Sequence, residues 1–183
     1  DSLNSIFVEW GDVRFGIDTL TMKYQTNYIY SLNSDIPVFS KIKVVKNGSK
    51  NKNDDYGVFG SAIVFTRLEE VVLLRAEALV ALHRGTDALV YYNTVRKTRG
   101  FAEAAYKKDF GNDDAKLLHA IFEERRKELM GEGWRWYDLI RRQKLLKDNE
   151  EMSRLIGEGG IYWPIAQDVL SANSLIEQNE YWK

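Results

Sequence analysis

At Thr66 the hydropathy of this chain changes period, and that change constrains the fold more than anything else in its 183 residues. Upstream, residues 1–65 are rich in Asn, Ser, Thr, Gly and Tyr and carry no sustained 3.6-residue repeat, which predicts loops with short extended pieces. Rough alternation of apolar and polar residues marks Ser5 to Glu9 and Lys41 to Val45 as candidate strands. Lys46 to Tyr56 is polar and turn-rich and reads as a surface loop. From Thr66 onward Leu68, Val72, Ala76 and Leu79 form one helical stripe, and Val71, Leu74, Ala78 and Leu82 form a second. Two stripes predict a helix packed on more than one side, which would stop near Arg84 and Gly85 with the glycine as a left-handed cap.

Thr86 and Asp87 can cap the next helix, which aligns Ala88, Tyr92 and Val95 and ends at Gly100. So short a connection makes the two helices an antiparallel hairpin. With small Ala76 and Ala78 opposite bulkier Leu89 and Tyr92, it resembles one tetratricopeptide-type unit. A third helix is predicted from about Asn112 to Met130, with Leu118, Phe122, Arg125 and Leu129 on one face, broken by Gly131-Glu132-Gly133. A fourth, Trp134 to Lys147, is expected to bury Trp136, Leu139 and Ile140, ahead of a glycine-rich turn at Gly157 to Gly160. The expected fold is therefore mainly α: a tetratricopeptide-like hairpin and further helices over 66–183, after an irregular, short-strand segment over 1–65. The second stripe, through Val71, Leu74 and Ala78, is expected to face water in a chain holding a single hairpin.

Composition narrows the function classes. Apolar residues make up 44% and charged residues 29%, with a formal charge of −1, so the chain has the means to build a core and no basic surface for phosphate backbones. Nucleic acid is not an expected partner. The absence of cysteine removes disulfides, thiolate metal sites and thiol catalysis together. The longest apolar run, Val71 to Leu82, is interrupted by Arg75 and Glu77 and is too short to cross a bilayer.

Catalytic chemistry finds little footing. Glu123, Glu124, Glu128 and Glu132 are the densest acidic set, but Arg125, Arg126 and Lys127 interleave with them as on an ion-paired helix face. His83 and His119 are isolated from each other and from any third ligand at metal spacing, which points to no metal site and to two surface histidines. Gly157-Glu158-Gly159-Gly160 lacks a following helix that would aim amides at phosphate, and Ser61, Ser153 and Ser171 have no histidine partner in the pattern. No cofactor is implied, and the chain reads as a non-enzyme.

The most structured text runs from Glu124 to Arg141. Arg125 falls in line with Phe122 and Leu129, so its charge must be met inside the protein. Glu128, Glu132 and Asp138 are the available acids, and a guanidinium fork can take two oxygens at once. The expectation is an ionic clasp of Arg125, Glu128, Glu132, Arg135 and Asp138 joining two helices across the Gly-x-Gly corner. A ligand-binding arginine is the alternative.

At these residues the chain resembles the carboxyl-terminal part of the SusD/RagB family of outer-membrane nutrient-uptake lipoproteins. Arg67-Leu68-Glu69-Glu70, leading to Leu74-Arg75-Ala76-Glu77-Ala78-Leu79, resembles the family's RLAE-x-x-L-x-x-AEA helix. Asn93-Thr94-Val95-Arg96 with Arg99-Gly100 is similar to its N-x-V-R-x-R-A/G helix end. Glu124-Arg125-x-x-Glu128-Leu129-x-x-Glu132-Gly133-x-Arg135-x-x-Asp138-Leu139-Ile140-Arg141 follows the ER-x-x-EL-x-x-EG-x-R-x-x-DLIR signature. Trp163-Pro164-Ile165, through Asn173 to Gln178-Asn179, resembles the closing L-x-PIP to QNPGY stretch. Upstream, Gly11-Asp12-Val13-Arg14 resembles a D-x-R turn. Departures lie at the end, where Ala166 and Ser174 replace prolines and Gln178-Asn179-Glu180-Tyr181 lacks Pro-Gly, which loosens the terminal turns.

The resemblance implies a surface-exposed glycan-binding subunit, without catalysis, that acts as a lid on a SusC-like TonB-dependent outer-membrane transporter. It implies a longer full protein whose amino-terminal helices and lipidated cysteine precede this stretch, the membrane being reached only through that lipid anchor. The matched motifs are framework residues and carry no ligand contacts. For these the aromatics of residues 7–30 are the candidates, because sugar rings stack their C–H faces on indole and phenol rings. Trp10, Tyr24, Tyr28 and Tyr30 are the expected glycan contacts, with an oligosaccharide or polysaccharide as ligand. Two rivals stay open: a tetratricopeptide-like protein–protein interaction module, and a glycosidase with two carboxylates in one cleft.

Overall fold

The computed structural model describes residues 65–183 and, before them, Ile6, Phe7, Glu9, Gly11, Asp12, Arg14 and the backbone of four short strands. The strands are β1 (Gly16–Asp18), β2 (Lys23–Gln25), β3 (Ile29–Tyr30) and β4 (Val38–Phe39). They pair antiparallel as β1–β2, with Ile17 opposite Tyr24, and as β3–β4, with Tyr30 opposite Val38. The extended reading of Ser5 to Glu9 does not hold at Ile6, which has helical backbone. Lys41 to Val45 and the loop Lys46 to Tyr56 lie outside the described residues. The helices are α1 (Leu68–Ala81), α2 (Gly85–Thr98), α3 (Asp114–Glu128), α4 (Arg135–Leu146), α5 (Glu150–Gly157) and α6 (Gln167–Ala172). The described part of the protein is mainly helical, as expected. It forms two compact units, 1–132 and 133–183, and the composition change near residue 65 falls inside the first.

In the first unit α1 packs on both α2 and α3. The core is Leu73, Ala76 and Val80 of α1, Ala88, Leu89, Tyr92 and Val95 of α2, and Leu117, Leu118, Ile121 and Phe122 of α3. The buried line of α1 thus runs between the two stripes that periodicity suggests. Val71, Ala78 and Leu82 of the second stripe are exposed and Leu74 is half-buried. A segment with two apolar stripes cannot select its own buried face; the α2 and α3 contacts select it.

The turn between α1 and α2 differs from the reading of its glycine. Arg84 N donates to Leu79 O at 2.8 Å and His83 N to Val80 O at 2.9 Å, the paired bonds of a Schellman closure. The left-handed residue is His83, at φ 58°, and Gly85 is instead the first residue of α2. Thr86 and Asp87 accordingly lie within the first turn, and Arg84 stands at the N-cap with no side-chain cap bond. At the far end of α2 the expectation holds: Gly100, at φ 98°, follows the helix while Phe101 N reaches Arg96 O. Helix α3 starts where Asp113 accepts from Ala115 N at 2.8 Å. Leu118, Phe122, Arg125 and Leu129 are all buried on it.

The second unit is built on α4 and α5. Gln143, 3% exposed, accepts from Asn149 N at 3.0 Å and donates to Ser153 Oγ at 2.7 Å, tying the two helices together. Trp136, Leu139 and Ile140, expected to be buried, are only half-buried on α4, whose buried residues are Asp138 and Gln143. Lacking Pro-Gly, the tail is closed by amides. Gln178 donates to Ile165 O at 2.9 Å, and Asn179 donates to Gly159 O at 3.2 Å and accepts from Tyr181 N at 2.9 Å. A Cβ on Gly160 would stand 2.8 Å from the Tyr181 ring and 2.9 Å from Leu155 Cδ2. Gly160→Ala is therefore expected to destabilise this unit by about 1–3 kcal/mol through overpacking, read as a lowered urea midpoint.

Candidate functional site

Several of the matched stretches bring side chains to one buried charge cluster in the first unit. Glu128, at the end of α3, has a side chain with 0% exposure. Arg99 grips it with both fork arms, Nε to Oε2 at 2.9 Å and Nη2 to Oε1 at 2.7 Å, and also reaches Glu69 at 3.0 Å. Arg67 bonds the Glu128 carboxylate and its backbone carbonyl while its Nε lies 3.1 Å from Glu132 Oε1. Arg14 Nη1 donates to Glu128 Oε2 at 3.1 Å. Burial alone would raise the Glu128 pKa, but the hydrogen bonds and charges of Arg99 and Arg67 bring it down to about 2.

One helical turn earlier Glu124, 1% exposed, stands 2.7 Å from Arg14 Nη2 and 3.3 Å from Arg96 Nη1. The Arg14 contact is an ion pair without hydrogen-bond alignment at Glu124 Oε1. Arg96 also forks onto Glu9, at 2.9 and 3.1 Å, and lies over the Phe101 ring at 4.0 Å. Hydrogen bonding from Arg96, with help from Lys127 against partial burial, holds the Glu9 carboxyl at about 2. For Arg14, burial would lower the pKa, yet the Asp12 hydrogen bond and the acids around it carry it above the usual guanidinium range. With pKa values held near 2, Glu9 and Glu128 stay ionised at neutral pH.

Of the expected clasp, Glu128 and Glu132 come together on Arg67. Arg125, 1% exposed, donates to the Glu70 carbonyl at 3.2 Å. Arg135 and Asp138 lie on α4 in the second unit, where Asp138, 2% exposed, accepts from Arg141 at 2.9 Å. Of the expected glycan contacts, Trp10 and Tyr28 lie outside the described residues, and Tyr24 and Tyr30 are described as backbone of β2 and β3 only. Reading α3 alone, as an i,i+3 and i,i+4 face, missed that Glu124 and Glu128 take their arginines from other elements. Glu123 does pair along the helix, with Arg126 at 3.4 Å. The signal was present in the separate stretches holding Arg14, Arg67, Arg96 and Arg99. Also missed was an aromatic pair in the second unit, Trp136 and Trp163, with ring centroids 6.3 Å apart and Trp163 80% exposed.

The model of the SusD family matches residues 39–157. The chain belongs to the SusD family. Among its relatives, SusD-like protein P38 of Formosa agariphila is 34% identical over 121 residues, which are 64% of this chain and 24% of that protein. SusD-like protein P25 of the same organism is 43% identical over 79 residues, 43% of this chain and 15% of that one. A crystal structure of a SusD superfamily protein from Bacteroides thetaiotaomicron is 59% identical, with a TM-score of 0.81 over 99% of this chain and 37% of that one. A SusD homologue from the same organism, 22% identical with a TM-score of 0.56, shares the fold. The chain thus spans well under half the length of the relatives it matches. Among the described residues no helix is long and apolar enough to cross a membrane.

Proposed function

We propose that this chain is the carboxyl-terminal part of a nutrient-binding subunit of an outer-membrane uptake complex. On this reading it captures an oligosaccharide or polysaccharide at the cell surface and serves, without catalysis, as a lid on a SusC-like TonB-dependent transporter. A lipid anchor elsewhere in the full-length protein would hold it at the outer membrane. The observation that carries the reading is membership of the SusD family, supported by a 59% identical solved relative over 99% of the chain. Residues 66–183 form the helical framework in this proposal, and Arg125, Glu128, Glu132, Arg135 and Asp138 belong to that framework rather than to a ligand site. The glycosidase alternative is disfavoured by the α3 acids, since Glu124 and Glu128 are buried under arginines.

The ligand contacts proposed are Trp10, Tyr24, Tyr28 and Tyr30. Full-length protein with all four replaced by Ala is expected to bind at least about tenfold more weakly in isothermal titration with the oligosaccharide that the unaltered protein retains. Each lost aromatic contact is worth about 0.5–1.5 kcal/mol. Unchanged affinity would exclude this set of contacts, and turnover of the bound oligosaccharide would overturn the non-catalytic reading.

A further inference from the structure

We infer that Arg14 is a positioning residue, a buried ionic root that ties the chain entering the β1–β2 hairpin, the strand pair that carries Tyr24, to helix α3 of the first unit. It belongs to a short irregular stretch, yet it is only 1% exposed, a degree of burial that an arginine reaches only when its donors are met. Its own neighbour supplies half of the grip. Asp12 Oδ1 accepts from Arg14 N at 3.0 Å and from Nε at 2.9 Å, while Oδ2 accepts from Nη2 at 2.7 Å. That two-oxygen hold fixes the guanidinium plane relative to the backbone of residues 12–14. The remaining arm and charge go to Glu128, at 3.1 Å, and Glu124, at 2.7 Å.

Because the fork is rigid at both ends, the two α3 carboxylates dictate the course of the chain at Arg14, and β1 begins two residues later at Gly16. A second attachment lies just upstream. Glu9 is held by Arg96 and Lys127, and between the anchors Gly11 turns at φ 89° with its Cβ position 3.7 Å from Gly100 O. The helices do not depend on Arg14 in the same way. Glu128 keeps Arg67 and Arg99, and Glu124 keeps Arg96, when Arg14 is removed. Loss of Arg14 should therefore free the hairpin before it loosens the helices. The rooting stands on its own; its bearing on ligand capture rests on the proposed role of Tyr24.

The test is hydrogen–deuterium exchange on the full-length protein carrying Arg14→Met, alongside Arg14→Lys and Glu9→Gln. Exchange at the amides of residues 16–25 is expected to rise at least roughly tenfold in Arg14→Met while core amides of α1, α2 and α3 change several-fold less. Arg14→Lys, which keeps a cation near Glu124 and Glu128 but loses the Asp12 fork, should fall between, and Glu9→Gln should affect the hairpin less than Arg14→Met. Equal acceleration of hairpin and helices would reduce Arg14 to a general stabiliser, and unchanged exchange at 16–25 would remove it as the root. Should Arg14→Met fail to fold, Arg14→Lys is judged by the same two criteria. No ligand enters the measurement, so a negative result leaves the glycan-binding reading intact, just as failed titrations with the aromatic variants would leave the rooting intact.

Discussion

Glu128→Ala is expected to cost about 3–5 kcal/mol in urea unfolding, a large share of the roughly 5–15 kcal/mol that holds a domain together. The carboxylate is completely buried and shared by Arg14, Arg67 and Arg99. Removing it leaves three guanidiniums with one acid fewer, although Glu132, Glu69 and Asp12 with Glu124 still serve them singly. The same carboxylate sets the acid limit of the fold. Its pKa lies near 2 in the folded chain against an ordinary 4.5, so its stabilisation is complete above pH 4.5 and is lost as the pH falls from there through 2. A depression of that size corresponds to on the order of 3 kcal/mol, and Glu9, also near 2, loses its contribution over the same window. Urea midpoints at pH 7 and pH 3 should therefore differ strongly for the unaltered chain and by less for Glu128→Ala, in which Glu9 keeps its share of the acid dependence. A variant with an unchanged acid dependence would move the acid-sensitive groups elsewhere.

Helices α1, α2, α3 and α4 were legible because long periodic segments and their breaks at Gly100 and Gly131 to Gly133 report local geometry. The left-handed turn was misassigned by two residues, since a Schellman closure can be made by His83 when the packing of α1 on α2 requires it there. Helices α5 and α6 were not legible: eight and six residues hold too few periods to announce themselves, and α5 depends on the Asn149 cap and on Gln143. The charge cluster was half legible. A buried arginine and acids could be inferred from their place on an apolar helix face. Their partners come from segments 28 to 114 residues away, and no spacing rule within one helix reaches that far. Family motifs are informative here for a physical reason: the stretches holding Arg67, Arg96 with Arg99, and Glu124 with Glu128 each contribute one side of the same buried cluster.

Arg125→Met should be nearly as costly as loss of Glu128, about 3–5 kcal/mol, because removing a buried guanidinium leaves the buried groups it serves, the Glu70 carbonyl among them, without their donor. Arg125 is 1% exposed, on the buried line between Phe122 and Leu129. Methionine matches the aliphatic stem of arginine, so little of the cost comes from a cavity. What is lost is the charge and the donor to the Glu70 carbonyl, 3.2 Å away. Glu70 is itself buried, its carboxylate accepting from Thr66 Oγ1 at 2.8 Å, and its turn of α1 would feel the loss of the donor to its carbonyl. A double-mutant cycle separates a shared network from independent stabilisers. If Arg125 and Glu128 belong to one clasp, as proposed, Arg125→Met combined with Glu128→Gln should depart from additivity by about 0.5–3 kcal/mol. Additive costs would split the clasp into two sites, and a cost below about 1 kcal/mol for Arg125→Met alone would mean that its charge is met by solvent, contrary to its burial.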